Sequence, residues 1–558
     1  MAEKYDAIVV GSGISGGWAA KELTERGLKV LLLERGRNVE HVKDYPTSTT
    51  KTWEFPHRGR ITNEMKERHP VQKRDYPYSE FAPDFWVDDL DCPYTEIKRF
   101  DWYRGFHVGG RSLMWGRQSY RWSPWDFESN KNDGHGADWP IRYDELAKWY
   151  DYVETFAGIS GSPEGLPQLP DGKFLPPMEL NIVEKDVAAR IKAKYDHRRM
   201  IIGRSANLTV EHNGRGSCQY RNLCSRGCQF GAYFSTQSAT LPAAVATGNL
   251  TLRPFSIVTE VTYDKDKKRA KGVRVIDAET MQSIEYEAKV VFLCASTLAS
   301  TFILLNSVDS GSLPDGLGNT SGQLGRNLMD HHFRCGASGD VEGYEDKIAF
   351  GRRANGFYIP RYRNFFGDKR EYVRGFGYQG GASREGWQRE VAELSIGADL
   401  KNTLQEPGKW TIGMTGFGEM LPYEENRITL DKSKKDKWGQ YVLAIDCEIK
   451  ENERKMRKDM INDAAEMLEA AGVKNIRTYD NGSYPGMAIH EMGTARMGND
   501  PKTSVLNKWN QIHDVKNVFV TDGSCMTSAA CQNPSLTYMA LTARAAEYAV
   551  ESLKKGDL

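Results

Sequence analysis

The segment "YDAIVVGSGISGGWAAKELTERGLKVLLLERG", residues 5–36, constrains the fold more than any other stretch. "YDAIVV" is a short, strongly apolar run and reads as a fully buried strand. The glycine turn after it opens a helix that Gly27 stops. "LKVLLLERG" reads as a second buried strand ending at Glu34, so the whole is a βαβ unit. Gly11, Gly13 and Gly16 form G-x-G-x-x-G between strand and helix. Gly11 permits the tight turn, Gly13 lets the backbone approach a pyrophosphate, and Gly16 lets helix and strand pack closely. The helix start at Ser15 offers free N–H groups and a partial positive charge to phosphates. Glu34, followed by Arg35, is placed to accept bonds from ribose hydroxyls. A carboxylate there repels a 2′-phosphate, which disfavours NADP. The motif leaves NAD and FAD both open.

A chain of 558 residues is too long for one hydrophobic core, and two interleaved or consecutive domains are expected. Its 75 basic and 75 acidic residues cancel, so nothing draws the surface towards nucleic acid. The longest apolar run, "VVFLCA", is strand-sized, far below the roughly 20 residues of a membrane span, so no integral membrane protein is expected. The start, "MAEKYDAIVVGSG", lacks the basic and apolar regions of an export signal. Nine cysteines, mostly scattered singly, do not suggest a disulfide framework.

Residues 37–100 are rich in Pro, Tyr and charge and read as long excursions. Helices are expected over roughly 143–159, in "EKDVAARIKAKY", in "ENERKMRKDMINDAAEMLEAAG" up to Gly472, and in the tail "NPSLTYMALTARAAEYAVESLKKG". "NLTLRPFSIVTEVTYDKDKKRAKGVRVID" alternates about the turn "DKDKKR" and predicts a hairpin or meander. "AKVVFLCASTLASTFILLNS" reads as a buried strand running into a helix. "WTIGMTGFGEML" and "YVLAIDCEI" carry the alternation of an antiparallel sheet.

Three further segments, "FHVGGRSLMWGRQSYRWSPWDF" (106–127), "SGQLGRNLMDHH" (321–332) and "HEMGTARMGND…NVFVTDGSCMTSAACQNPSLTYMALTARAAE" (490–547), resemble the signatures of the glucose–methanol–choline (GMC) oxidoreductase family. The resemblance covers the whole chain in matching order and implies FAD. Within the family the chain is most similar to bacterial glucoside 3-dehydrogenase catalytic subunits. Pyranose oxidases and the large subunits of gluconate and fructose dehydrogenases are next. The implied fold is α/β: a Rossmann-like FAD-binding domain (1–36, 95–130, 211–335 and 488–558) interleaved with a substrate domain. The latter, with excursions, takes 37–94, 131–210 and 336–487 and is built on an antiparallel sheet flanked by helices.

The resemblance also assigns residues. Gly109 and Gly110 let the backbone approach the cofactor, with Ser112 in the same loop and Trp115 bordering the flavin. Met114 stands where flavinylated relatives carry the tethering histidine, so the FAD is expected to be non-covalent; His107 is read as a loop or phosphate contact. Val258 borders the adenine. Asp522 and Gly523 reach the ribityl–pyrophosphate side, and Pro534 follows the active-site Asn533. His490 opens "HEMGTARMG", where the family keeps its base, and imidazole suits proton abstraction near neutral pH. Asn533 matches the second active-site residue, a neutral amide able to hold the substrate oxygen. His331 and His332 are read as structural. Glu491 is read equally as a tuner of His490 or as a solvated or ion-paired acid. Tyr378 and Gln379 are candidate substrate contacts.

Cys218, Cys224 and Cys228 form C-x5-C-x3-C. Buried packing, a disulfide plus a spare thiol, a zinc site with His212 and an iron–sulfur cluster are all compatible with three thiols, though zinc favours four ligands and closer pairs. The spacing resembles that of cluster-bearing sugar dehydrogenases of the family and implies [3Fe–4S]. The expected activity is oxidation of a ring hydroxyl, at C3 of a glucoside, to a ketone. A pyranose oxidase using O2, or another GMC alcohol or sugar-acid dehydrogenase, is the alternative. The resemblance implies a sugar or glucoside substrate, a small subunit like gluconate 2-dehydrogenase subunit 3 and a cytochrome c acceptor. It further implies periplasmic location by export with a signal-bearing partner, with the cytoplasm as the alternative.

Overall fold

A computed structural model describes residues 4–309, 311–349, 351–386 and 396–558. Strand β1 (Lys4–Val10), helix α1 (Ile14–Glu25) and strand β2 (Val30–Leu33) form the expected βαβ unit. Gly27, at φ 87°, ends the helical path, a left-handed turn that glycine takes without Cβ strain.

β1 and β2 lie in a seven-stranded sheet. Its parallel part runs Leu250–Arg253, β2, β1, Ser283–Leu293, Val518–Val520. That is the order of a doubly wound dinucleotide fold, with the chain reversing direction of travel between β1 and Ser283–Leu293. The hairpin Ser256–Asp264/Arg269–Asp277 extends it antiparallel through residues 283–287. Its turn falls where "DKDKKR" was expected. Ala7 and Val9 pack towards α1 and the C-terminal helix Ser535–Lys555, while Ile8 and Val10 enter a second core. Both faces are buried, which is why these strands are continuously apolar. Each such large aliphatic side chain contributes about 1.5–3 kcal/mol.

The second sheet has six antiparallel strands in the order Lys474–Asp480, His331–Val341, Trp410–Glu419, Phe376–Arg384, Phe357–Ile359, Ile201–Ile202. Helices Ile182–Lys194 and Glu451–Ala470 cover one face. The other face turns Phe333, Gln379 and Phe417 towards a large cavity. "YVLAIDCEI" departs from expectation: Tyr441–Asp446 pairs with Arg427–Lys435 and Thr95–Glu96 in a separate three-stranded sheet. Alternation identifies a strand but not its sheet. All nine cysteines are free thiols. Among the described residues no helix is long and apolar enough to cross a membrane.

Candidate active site

A cavity of about 630 Å³ opens where β1 and Ser283–Leu293 end side by side. The crevice at such a topological switch point is the general site for nucleotides in doubly wound sheets. Gly11 takes φ 89°, and a Cβ there would stand 2.7 Å from the Cys294 carbonyl oxygen. A Cβ on Gly16 would fall 1.7 Å from the Gly11 oxygen, so Gly16 serves helix–strand contact and does not line the cavity. Gly13 lines it, and a Cβ there would meet nothing within 4 Å. Ser15 also faces this space. No side chain caps the start of α1, so its first N–H groups remain available to an anion.

Glu34 is held at the cavity wall by Ser12, whose N–H and hydroxyl donate to Oε2 at 3.1 and 2.6 Å, and by the Gly36 N–H on Oε1 at 3.1 Å. Burial raises its pKa. Arg35, Gly110, Ser112, Trp115, Val258, Asp522, Gly523 and Pro534 line the same cavity. Gly109 does not; its φ of 88° turns the chain, and a Cβ there would strike Gln237. His107 is fully buried, with Nδ1 3.0 Å from the Val108 carbonyl, so it is a loop residue and makes no phosphate contact from that position.

Asp75 Oδ2 and the hydroxyls of Tyr103 and Tyr538 are buried at the cavity wall without a partner. Buried polar groups are normally satisfied, so these mark a place for a polar ligand. With the open cradle at Gly13, they fit a dinucleotide of the size of FAD.

At the far end, His490 and Asn533 meet: Asn533 Nδ2 lies 3.1 Å from His490 Nε2. Asn533 comes from the turn before the C-terminal helix, and His490 from the loop after Lys474–Asp480. Burial lowers the His490 pKa well below the ordinary imidazole value, with His331 and Arg111 adding to the shift. Glu491 is an ion-paired acid, taking both terminal guanidinium nitrogens of Arg111 at 3.1 and 2.8 Å.

The substrate contact expected at Tyr378 is not borne out. Tyr378 is fully buried, packs in the core under the second sheet and donates to the Met460 carbonyl at 2.7 Å. Successive strand residues face opposite ways, so Gln379 faces the cavity and Tyr378 cannot. Gln379 donates to Asn533 Oδ1 at 2.9 Å. His331, read as structural, sits beside His490: its Nδ1 lies 2.9 Å from His490 Nδ1. His332, the next residue on the strand, is fully buried. Asp330 was missed altogether, because its partners are backbone N–H groups 156–160 residues away, which leave no local signal.

Cys218, Cys224 and Cys228 are half-buried and line the same cavity. Burial raises the Cys218 pKa, and the other two thiols add to it. Among the described residues, however, no three His, Cys, Asp or Glu side chains are gathered as a metal site. The thiols suit iron as donors, but as placed here they do not form a ligand set. His212 faces the Thr155 carbonyl at 2.7 Å.

Residues 5–333 and 422–542 match the two GMC oxidoreductase family models. The chain belongs to the GMC oxidoreductase family. It is 30% identical to 2-methyl-1,2-propanediol dehydrogenase of Mycolicibacterium austroafricanum over 98% of this chain and 95% of that protein. It is 27% identical to the fructose dehydrogenase large subunit of Gluconobacter japonicus, covering 99% and 98%. The solved structure of pyridoxine 4-oxidase from "Mesorbium loti" shares the fold at TM-score 0.61 and 17% identity, covering 97% and 98%. GMC oxidoreductases are FAD-binding flavoproteins, and this member is an oxidoreductase acting on alcohol or sugar hydroxyls.

Proposed function

We propose that this GMC oxidoreductase is an FAD-dependent dehydrogenase that oxidises a ring hydroxyl of a sugar or glucoside, at C3, to the ketone. The observation that carries the reading is the pairing of His490 Nε2 with Asn533 Nδ2 inside the cavity. The wall around Gly11, Gly13, Glu34 and Val258 would hold the nucleotide, and Trp115 and Ser112, which line the same cavity, would border its ring end. FAD, when bound, would supply the acceptor for the carbon-bound hydride; a [3Fe–4S] cluster would supply an outlet for single electrons only if Cys218, Cys224 and Cys228 were turned into a ligand set that they do not form as placed.

His490 takes the hydroxyl proton on Nε2, the substrate hydroxyl displacing the Asn533 N–H from that lone pair. Depressed by burial, it is neutral and ready to accept across the neutral range. The second N–H of Asn533 is free to hold the substrate oxygen, and as an amide it does so at any working pH. One proton to His490 and one hydride from carbon together account for the alcohol's conversion to a carbonyl.

The relative named as a large subunit supports a further part of the reading. The chain works with a small subunit like gluconate 2-dehydrogenase subunit 3, is carried with it to the periplasm, and passes electrons to a cytochrome c. Iron binding requires the three thiols to turn towards one another. Anaerobically purified protein then carries about three irons per chain; iron-free protein with full activity removes the cluster from the reading. Fractionation that finds the chain only in the cytoplasm, with its partner present, removes the export.

The central test is His490→Ala. Turnover falls by roughly two to four orders of magnitude, the usual contribution of a placed acid–base group, while FAD and fold are retained. Unchanged turnover with glucosides would sink the assignment.

A further inference from the structure

Six hydrogen bonds join Tyr120 to the Ala530 carbonyl through the active site. Tyr120 O–H donates to Gln118 Oε1 at 2.6 Å, and Gln118 Nε2 donates to Gln379 Oε1 at 3.1 Å. Gln379 Nε2 donates to Asn533 Oδ1 at 2.9 Å, and Asn533 Nδ2 donates to His490 Nε2 at 3.1 Å. His490 Nδ1 and His331 Nδ1 are 2.9 Å apart, and His331 Nε2 is 2.8 Å from the Ala530 oxygen.

The direction of this chain follows from its last link. A carbonyl oxygen can only accept, so His331 Nε2 carries a hydrogen. Burial presses the His331 pKa down to about 4, so the ring is neutral at working pH. A neutral imidazole has one N–H, which leaves His331 Nδ1 a bare acceptor. The hydrogen between the two rings therefore belongs to His490 Nδ1. His490, also neutral, must then have its lone pair on Nε2, the nitrogen that faces Asn533. Asn533 must offer its N–H there, which turns its oxygen to Gln379, and the same logic passes through Gln118 to Tyr120. Reversing any inner link sets two hydrogens or two lone pairs against each other.

Both ends of the chain are rigid. Tyr120 is fully buried and stacks on Tyr358 with ring centroids 4.1 Å apart. Ala530 is held in the left-handed region at φ 52°, where alanine is rarely found.

We infer that His331, anchored on the Ala530 carbonyl, is the positioning residue that sets the His490 tautomer with Nε2 unprotonated, and that Gln118 and Gln379 set the matching orientation of the Asn533 amide. The inference rests on His490 being the base of the proposed reaction. It goes beyond that reading because it states which nitrogen is the base and what makes it so.

The test reads the tautomer directly. Nitrogen spectra of imidazole-labelled holoenzyme without substrate, with the His490 signals assigned through His490→Asn, are expected to show hydrogen on Nδ1 and none on Nε2. In His331→Phe the acceptor is lost. The His490 signals become a tautomer mixture and kcat falls roughly 10- to 100-fold, as for other partners that only orient a reacting ring, with FAD content and KM kept. His331→Asn, whose Oδ1 can take the Nδ1 hydrogen, recovers most of the loss; a packing role alone gives no such rescue. Should His331→Phe not fold, Gln379→Glu serves. The ionised carboxylate that this change introduces offers only acceptors. Asn533 must then turn its N–H to it and its oxygen to His490, shifting the His490 hydrogen towards Nε2. Hydrogen on Nε2 in the wild type overturns the inference, as does an unchanged tautomer in folded His331→Phe or Gln379→Glu. Wild-type enzyme that oxidises no alcohol removes the proposed function instead and leaves the tautomer result standing.

Discussion

The Asp330 carboxylate accepts the backbone N–H of His490, 160 residues away, on Oδ1 at 3.1 Å. Its Oδ2 takes the N–H groups of Gly486 and Ala488 at 2.7 and 3.2 Å. Between these anchors Ile489 is held at φ 64°, a conformation that β-branched residues avoid. Such a residue costs about 1–3 kcal/mol and persists only where its surroundings over-determine it. Asp330 thus fixes the loop that presents His490, while its neighbour His331 meets the ring. One dipeptide at the start of a strand holds both the backbone and, on the inferred tautomer, the ring hydrogen of His490.

Asp330→Asn should therefore weaken the fold and the reaction together. An amide has one acceptor oxygen for three donors and turns its own N–H groups against at least one of them. An orphaned buried N–H costs about 1–3 kcal/mol. Denaturant unfolding of the holoenzyme is expected at a lower midpoint, with turnover reduced and FAD still bound. Wild-type stability and turnover in this variant would show that the loop is held by something else.

The glycines of the first turn should separate by function. Gly13→Val adds atoms where nothing stands within 4 Å, in the space read as the pyrophosphate cradle. It is expected to give folded protein with most of its flavin lost, measured as absorbance near the flavin band per chain. Gly16→Ala sets a Cβ 1.7 Å from the Gly11 oxygen, so helix and strand must part. It should yield unstable or insoluble protein. A folded, flavin-loaded Gly13→Val would contradict the placement of the cradle.

The contrast also shows what could be read in the residue order. The turn, its glycines and Glu34 act on neighbours in one βαβ unit, so their roles are local and legible. His490 and Asn533 were legible by motif. Their partners were not, because Gln118, Gln379, His331 and the Ala530 carbonyl come from distant segments and meet only after both sheets have packed. Tyr378 and Gln379 were named together, but only Gln379 lines the cavity, because the phase of the strand depends on which face the helix Glu451–Ala470 covers. The three cysteines were conspicuous by spacing alone, and spacing does not say which way a thiol points.

The acid side of the pH profile should lie lower than an ordinary histidine would put it. His490 must be neutral to accept a proton, so activity is present above its pKa in the folded enzyme and is lost as pH falls through that value. Burial lowers this pKa well below 6.5, and His331 and Arg111 push in the same direction, with Glu491 occupied by Arg111. The acid limb of kcat/KM is expected below pH 6.5, the ordinary value from which the shift starts. A limb near pH 7 that Asp330→Asn removes would belong to Asp330, whose carboxyl burial raises to about 7; a limb at or above 6.5 that persists in that variant would mean that His490 is more solvated than this cavity allows.

Flavin should leave the protein completely on acid precipitation. A covalent tether needs a nucleophilic side chain beside the flavin ring. The residue that the loop 109–115 presents at the matching position is Met114, a thioether lining the cavity, whose alkyl groups on both sides leave no proton to lose on bond formation. His107, the histidine nearest in that loop, does not line the cavity: it is fully buried with Nδ1 at the Val108 carbonyl, and burial lowers its pKa to about 4. Wild type and His107→Ala should both give a colourless pellet and a yellow supernatant holding all of the FAD. Colour that stays with the wild-type pellet and disappears in His107→Ala would show that His107 swings into the cavity and forms the bond.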